Sequence, residues 1–151
     1  MATKTITGDD TLTLFDRVLN DLADDDVSSI TFPTDLIQVK TGKNRNSIYA
    51  RNAQGAQCDL TLRVNRGSSD DRFLQSQLAS QDADIPSFSL ASGQFVKRLG
   101  DGQGEVVSDT YDLEGGVFLR KVDTKENVSG DTEQAVSVYQ MRFAVGTRSL
   151  G

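Results

Sequence analysis

Few residues of this chain could do chemistry. It contains no histidine and one cysteine, Cys58. That removes histidine-based triads, histidine metal ligands and histidine pH switches, together with internal disulfides and cysteine-rich zinc sites. Asp24-Asp25-Asp26 sets three carboxylates in a row. It lacks the alternating spacing, central glycine and distal glutamate of a calcium loop, and reads as a solvated turn. Gly100-x-Gly102-x-Gly104 matches neither nucleotide fingerprint and opens no helix, so it reads as a hairpin tip. Gly42-Lys43 is not a phosphate loop, because Ile37 stands where the first glycine must be. No Ser-x-x-Lys spacing occurs. Carboxylate pairs could run glycoside hydrolysis, but there is no tryptophan to stack a sugar and only three tyrosines, Tyr49, Tyr111 and Tyr139. Cys58 falls on the apolar side of an alternating run, the place of an inert core thiol. The expectation is a protein that is not an enzyme, with no catalytic, cofactor or metal residue.

Charge offers contacts rather than catalysis. The 16 basic and 22 acidic residues give −6, which argues against a dedicated nucleic-acid binder, since counterion release needs a cationic footprint. The charge is also unevenly placed. Residues 9–35 carry −7, residues 36–66 carry +5 and residues 67–116 carry −6. Solvated loops account for this pattern as well as a contact does. The sharper expectation is that the basic loop around Lys40, Lys43 and Arg45 meets an acidic region of another copy, with Asp24, Asp25 and Asp26 as the nearest candidates.

The elements that must position these groups are mostly strands. In 57–65, Cys58, Leu60, Leu62 and Val64 share one face, and Gln57, Asp59, Thr61, Arg63 and Asn65 the other. In 135–145, Tyr139, Met141, Phe143 and Val145 line up in the same way. Further strands are expected over 10–15, 36–41, 105–114 and 117–122, with a short one at 30–32 stopped by Pro33. A helix is expected over 68–80. A serine cap and Asp70-Asp71 suit its positive end, and Phe73, Leu74 and Leu78 dock it on a sheet. The segment 16–23 has apolar residues at helical spacing but runs into a turn, and stays ambiguous. Turns are expected at 42–46, 65–67, 100–104 and Gly115-Gly116. The 151 residues suffice for a single domain, 1–151. A compact monomer of 16.4 kDa exposes roughly 7,500 Å². The pattern predicts a mainly β fold, an antiparallel sandwich or barrel with one flanking helix. The first residues carry no apolar run, so no signal peptide is expected, and no stretch approaches the length of a membrane span.

Three stretches together resemble the tail tube proteins of tailed bacteriophages. The first is the strand over 55–65, ending in Arg66-Gly67-Ser68 and leading into Ser69-Asp70-Asp71-Arg72-Phe73-Leu74. The second is Asp109-Thr110-Tyr111-Asp112-Leu113-Glu114-Gly115-Gly116-Val117-Phe118. The third starts at Asn127-Val128-Ser129-Gly130-Asp131-Thr132-Glu133-Gln134-Ala135 and continues through Tyr139 to Arg142-Phe143-Ala144. The order and spacing are similar to that family across most of the chain. The resemblance implies hexameric rings, with sheets of neighbouring subunits joined into one barrel, stacked into a hollow tube. It implies a virion tail built in the bacterial host cytoplasm. It implies as partners the chain itself, a tape-measure protein, baseplate and tail-terminator proteins, a sheath where the tail contracts, and DNA that passes without specific binding.

Physical chemistry fits this without requiring it. Open sheet edges are an aggregation hazard that pairing with identical copies removes. A repeated head-to-tail contact closes rings or extends tubes. A carboxylate-rich wall repels phosphates, so DNA slides. The alternatives are a tube of a contractile injection or type VI secretion system with protein cargo, and, in a different class, a monomeric β-sandwich adhesin.

Overall fold

The computed structural model describes residues 5–6, 11–20, 28–100, 102–123, 126, 128–130 and 132–151. Strands dominate: β1 (Thr5–Ile6), β2 (Thr11–Leu14), β3 (Arg17–Val18), β4 (Ser28–Thr31), β5 (Ile37–Thr41), β6 (Ser47–Arg51), β7 (Cys58–Asn65), β8 (Ala91–Gly100), β9 (Val106–Phe118) and β10 (Val136–Leu150). One helix, α1 (Ser69–Ala83), interrupts them. Strands β5 and β6 form a separate two-stranded ribbon. The others make one antiparallel sheet in the order β3-β2-β8-β9-β10-β7-β4, with β1 added on β8.

The expected alternation decides what is buried. Cys58, Leu60, Leu62 and Val64 of β7 have no accessible surface, and Ser137, Tyr139, Met141 and Phe143 face the same interior from β10. Each fully buried leucine or valine contributes about 1.5–3 kcal/mol of transfer free energy. Leu12 and Leu14, near one margin of the sheet, share this core with Leu60 and Leu62, near the other. A flat sheet could not bring them together. The sheet therefore curls over its own apolar face into the expected sandwich.

Helix α1 closes the open side. Ser68 Oγ accepts from Asp71 N–H (3.2 Å) and so caps the first turn. Leu74 and Leu78 are buried, and Phe73 packs against the core from its margin. The two acids of the first turn do more than face a dipole. Asp71 accepts from Tyr139 O–H (2.5 Å) and from the Gly67 N–H (2.8 Å). Burial and this carboxylate hold the Tyr139 hydroxyl protonated far above the usual tyrosine range. Asp70 is 1% exposed and accepts from Arg17 Nε (3.0 Å) and the Asn20 N–H (2.6 Å), which ties the β3 hairpin to the helix.

The fold decides one ambiguous segment and corrects two expectations. The described part of 16–23 is a tight hairpin. Phe15 and Asp16 sit at φ 52° and 61°, the type I′ geometry that joins two twisted strands through a two-residue turn. The Phe15 ring holds that conformation by packing on Phe73, Phe88 and Phe118 at 6.0–6.2 Å. Gly115-Gly116 is not a turn, and 117–122 is not a separate strand. Strand β9 runs unbroken from Val106 to Phe118. Gly115, at φ 69°, lies where the β8–β9 register slips between Ala91 and Gly93, and a side chain at Gly116 would run into the Phe143 ring. The glycines mark a bulge and a close approach. Strands β6 and β8 were not anticipated.

Candidate assembly surface

Two polypeptide surfaces stand outside the core, and three of the six candidate contact residues, Lys40, Lys43 and Arg45, lie on the first. The β5–β6 ribbon is rooted by the Asn52 N–H bonded to the Leu36 carbonyl (2.8 Å) and by Gly55 packed on Leu36. Its tip is closed by Gly42 N–H to the Asn46 carbonyl (2.8 Å), with Arg45 at φ 65°. Every residue of both strands is exposed. Lys40 lies on β5 opposite Ile48, and Lys43 and Arg45 lie on the tip. Among the described residues none of these three cations pairs with a carboxylate. The structure thus brings Lys40, Lys43 and Arg45 to one projecting limb. Asp24, Asp25 and Asp26 lie outside the described residues.

The ribbon has two unlike faces. The pairs Ile37↔Arg51 and Val39↔Tyr49 set Ile37, Val39 and Tyr49 on one side, and Lys40↔Ile48 lies on the other. The apolar side looks across a groove of about 880 Å³ toward Phe32, Gly146 and Arg148. Sequence reading identified the cations and missed this apolar side. The signal was present: the alternating run 47–51 follows the turn at 42–46 and mirrors 37–41, the pattern of a hairpin with a five-residue loop.

The second surface is the far end of the main sheet. Strand β10 pairs with β7 only as far as Phe143, while its partnership with β9 continues to Leu150. Among the described residues, 144–150 have no second strand paired on the flank where β7 ends. Register places Thr11, Thr13, Gln94, Thr110, Asp112, Thr147 and Ser149 on one face of this end. On the opposite face, Arg148 donates to both carboxylate oxygens of Asp109 (2.8 and 2.8 Å) and lies 5.7 Å from the Tyr111 ring centre, which stacks on Phe32. The Arg148 hydrogen bond holds the Asp109 carboxyl below its ordinary range. Gly146 matters here because a methyl on it would lie 2.5 Å from Cys58 Sγ, so the strand can cross the core thiol only as glycine.

Burial raises the Cys58 thiol to about 11, so it carries no thiolate at neutral pH. Among the described residues no group of three or more His, Cys, Asp or Glu side chains could hold a metal ion. Among the same residues no helix is long and apolar enough to cross a membrane.

No family model matches the chain, and no curated protein matches it. Solved structures share its fold, among them two from one kind of assembly. One is a cryo-EM structure of an extracellular contractile injection system, the PVC sheath/tube terminator in the extended state. It aligns over 93% of this chain and 92% of that one, with a TM-score of 0.59 at 11% identity. The other is the PVC sheath-tube complex in the extended state, over 94% and 87% of the two chains, with a TM-score of 0.57 at 11% identity. At this identity the likeness establishes the fold.

Proposed function

We propose that this chain is a single-domain structural subunit of a tail-like tube, built by self-association into hexameric rings that stack end to end. The observation that carries the reading is the shared fold with contractile-injection components across more than nine-tenths of this chain. The three sequence stretches similar to phage tail tube proteins point the same way. In this reading the assembly is a virion tail put together in the host cytoplasm. Tape-measure, baseplate, terminator and, in a contractile tail, sheath proteins are its partners.

The surfaces suit that role. The one-sided flank of residues 144–150 is a strand edge that a neighbour in the ring can complete. The face bearing Thr110, Asp112, Thr147 and Ser149 is polar and hydroxyl-rich, a wall along which DNA slides. Lys40, Lys43 and Arg45 reach an acidic region of the next ring, with Asp24, Asp25 and Asp26 as its first candidates. Both structural neighbours come from an injection system, which favours a second reading in which the same tube carries protein cargo.

Negative-stain microscopy of the overexpressed protein tests the tube. Hollow filaments of uniform width are expected, and a stable monomer on gel filtration would overturn the proposal. Capsid and terminase genes beside this one separate the DNA conduit from the protein conduit. Lys43→Glu with Arg45→Glu is expected to cut tube yield while leaving the monomer folded. Normal yield would reject the ionic ring contact.

A further inference from the structure

We infer that the groove beneath the β5–β6 ribbon is half of an interface, and that the other half is the body of a second copy of this chain. The inference rests on the tube reading for its geometry. It names the surface through which copies engage. Isolated two-stranded ribbons are marginal in water. In this one Ile37 and Tyr49 line an apolar groove of about 880 Å³ and Val39 extends the same face beyond it, each more than half exposed. An exposed apolar patch bordered by charges marks a contact site.

Area and charge identify the occupant. The chain exposes 10206 Å², against roughly 7,500 Å² for a compact monomer of its mass. The difference, roughly 2,700 Å², is of the size that obligate interfaces remove. Residues 36–51 carry four bases and no acid, and the whole chain is −6, which leaves −10 on the remainder. A ribbon therefore finds its opposite charge on the body of another copy. Two ribbons laid against each other would gather eight cations, so a two-fold pairing is disfavoured. The contact is head to tail, the kind that closes rings or extends filaments.

A photoreactive benzophenone amino acid at position 49 tests this. Isotopically light and heavy chains carrying it are mixed, allowed to assemble, irradiated and digested for mass spectrometry. The expected product joins the residue-49 peptide of one chain to a body peptide of the other, in mixed light–heavy form. The same probe at position 39, on the same face, keeps the test valid if position 49 does not tolerate the substitution. At position 48, beside Lys40 on the opposite face, adducts should fall on different body peptides from those of positions 49 and 39. Tubes in the microscope with adducts confined to one chain, or to a different protein, overturn the docking and leave the tube. Inter-chain adducts in small oligomers without tubes support the docking and overturn the tube. Absence of both tubes and inter-chain adducts overturns both.

Discussion

Strand β7 and the β5–β6 ribbon are written in similar residues, short alternating runs of apolar and polar side chains. In β7 every second residue from Cys58 to Val64 is sealed from water, whereas all ten ribbon residues are exposed. The difference lies in the neighbours. Strand β7 has β10 and β4 on its flanks and α1 across its face. Among the described residues the ribbon's strands pair only with each other, above a root at Asn52 and Leu36. Alternation states that a strand face will be covered; it does not state by which molecule. One region is finished by its own chain, and the other is left for a partner.

That contrast can be broken by mutation. The largest effect belongs to the covered strand. Leu62→Ala should cost about 3 kcal/mol, read as a lower urea midpoint at unchanged slope. Asp70→Asn comes next. It weakens a buried acceptor that serves both Arg17 and the Asn20 N–H, and should cost about 2 kcal/mol. The third test is pH. The Cys58 thiol rises from 9.0 to about 11 on folding, so above pH 9 the unfolded chain releases a proton that the folded chain keeps. Stability is therefore full below pH 9 and declines through pH 11. Urea unfolding across that window should show the decline in the native protein and a shallower one in Cys58→Ala. The smallest effect on the free monomer is Val39→Ala in the ribbon, within about 0.5 kcal/mol, while its tube yield falls. A Val39→Ala monomer destabilised as much as Leu62→Ala would show that the ribbon is held by its own body, and the contrast would disappear.

How much could be read beforehand follows the same division. Strands β7 and β10 were legible because Leu60, Leu62, Tyr139 and Met141 repeat at the period of a covered strand, and α1 because Ser68, Asp71, Leu74 and Leu78 mark its start and its stripe. Strand β8 was hidden because Phe95 and Val96 are adjacent and break the alternation. Its identity comes from β2 and β9 on either side. Gly115 and Gly116 resemble a turn until the Phe143 ring and the slipped register are known. Of the candidate contacts, Lys40, Lys43 and Arg45 were legible as a basic cluster. The apolar underside beside them was not, because Ile37, Val39 and Tyr49 look like ordinary strand residues until nothing in the chain covers them. Asp70 read as an acid suited to the positive end of a helix. Only the folded hairpin around Arg17 makes it a buried tie.

The projecting ribbon also gives the molecule a built-in reporter. Lys43 and Arg45 stand at its tip, on exposed backbone away from the core, and trypsin cleaves after these residue types. A free subunit should be nicked there first, with the sandwich left intact, while a subunit whose tip is seated against a companion should be spared. The ratio of nicked to whole chain then follows, minute by minute, how many subunits have been taken up.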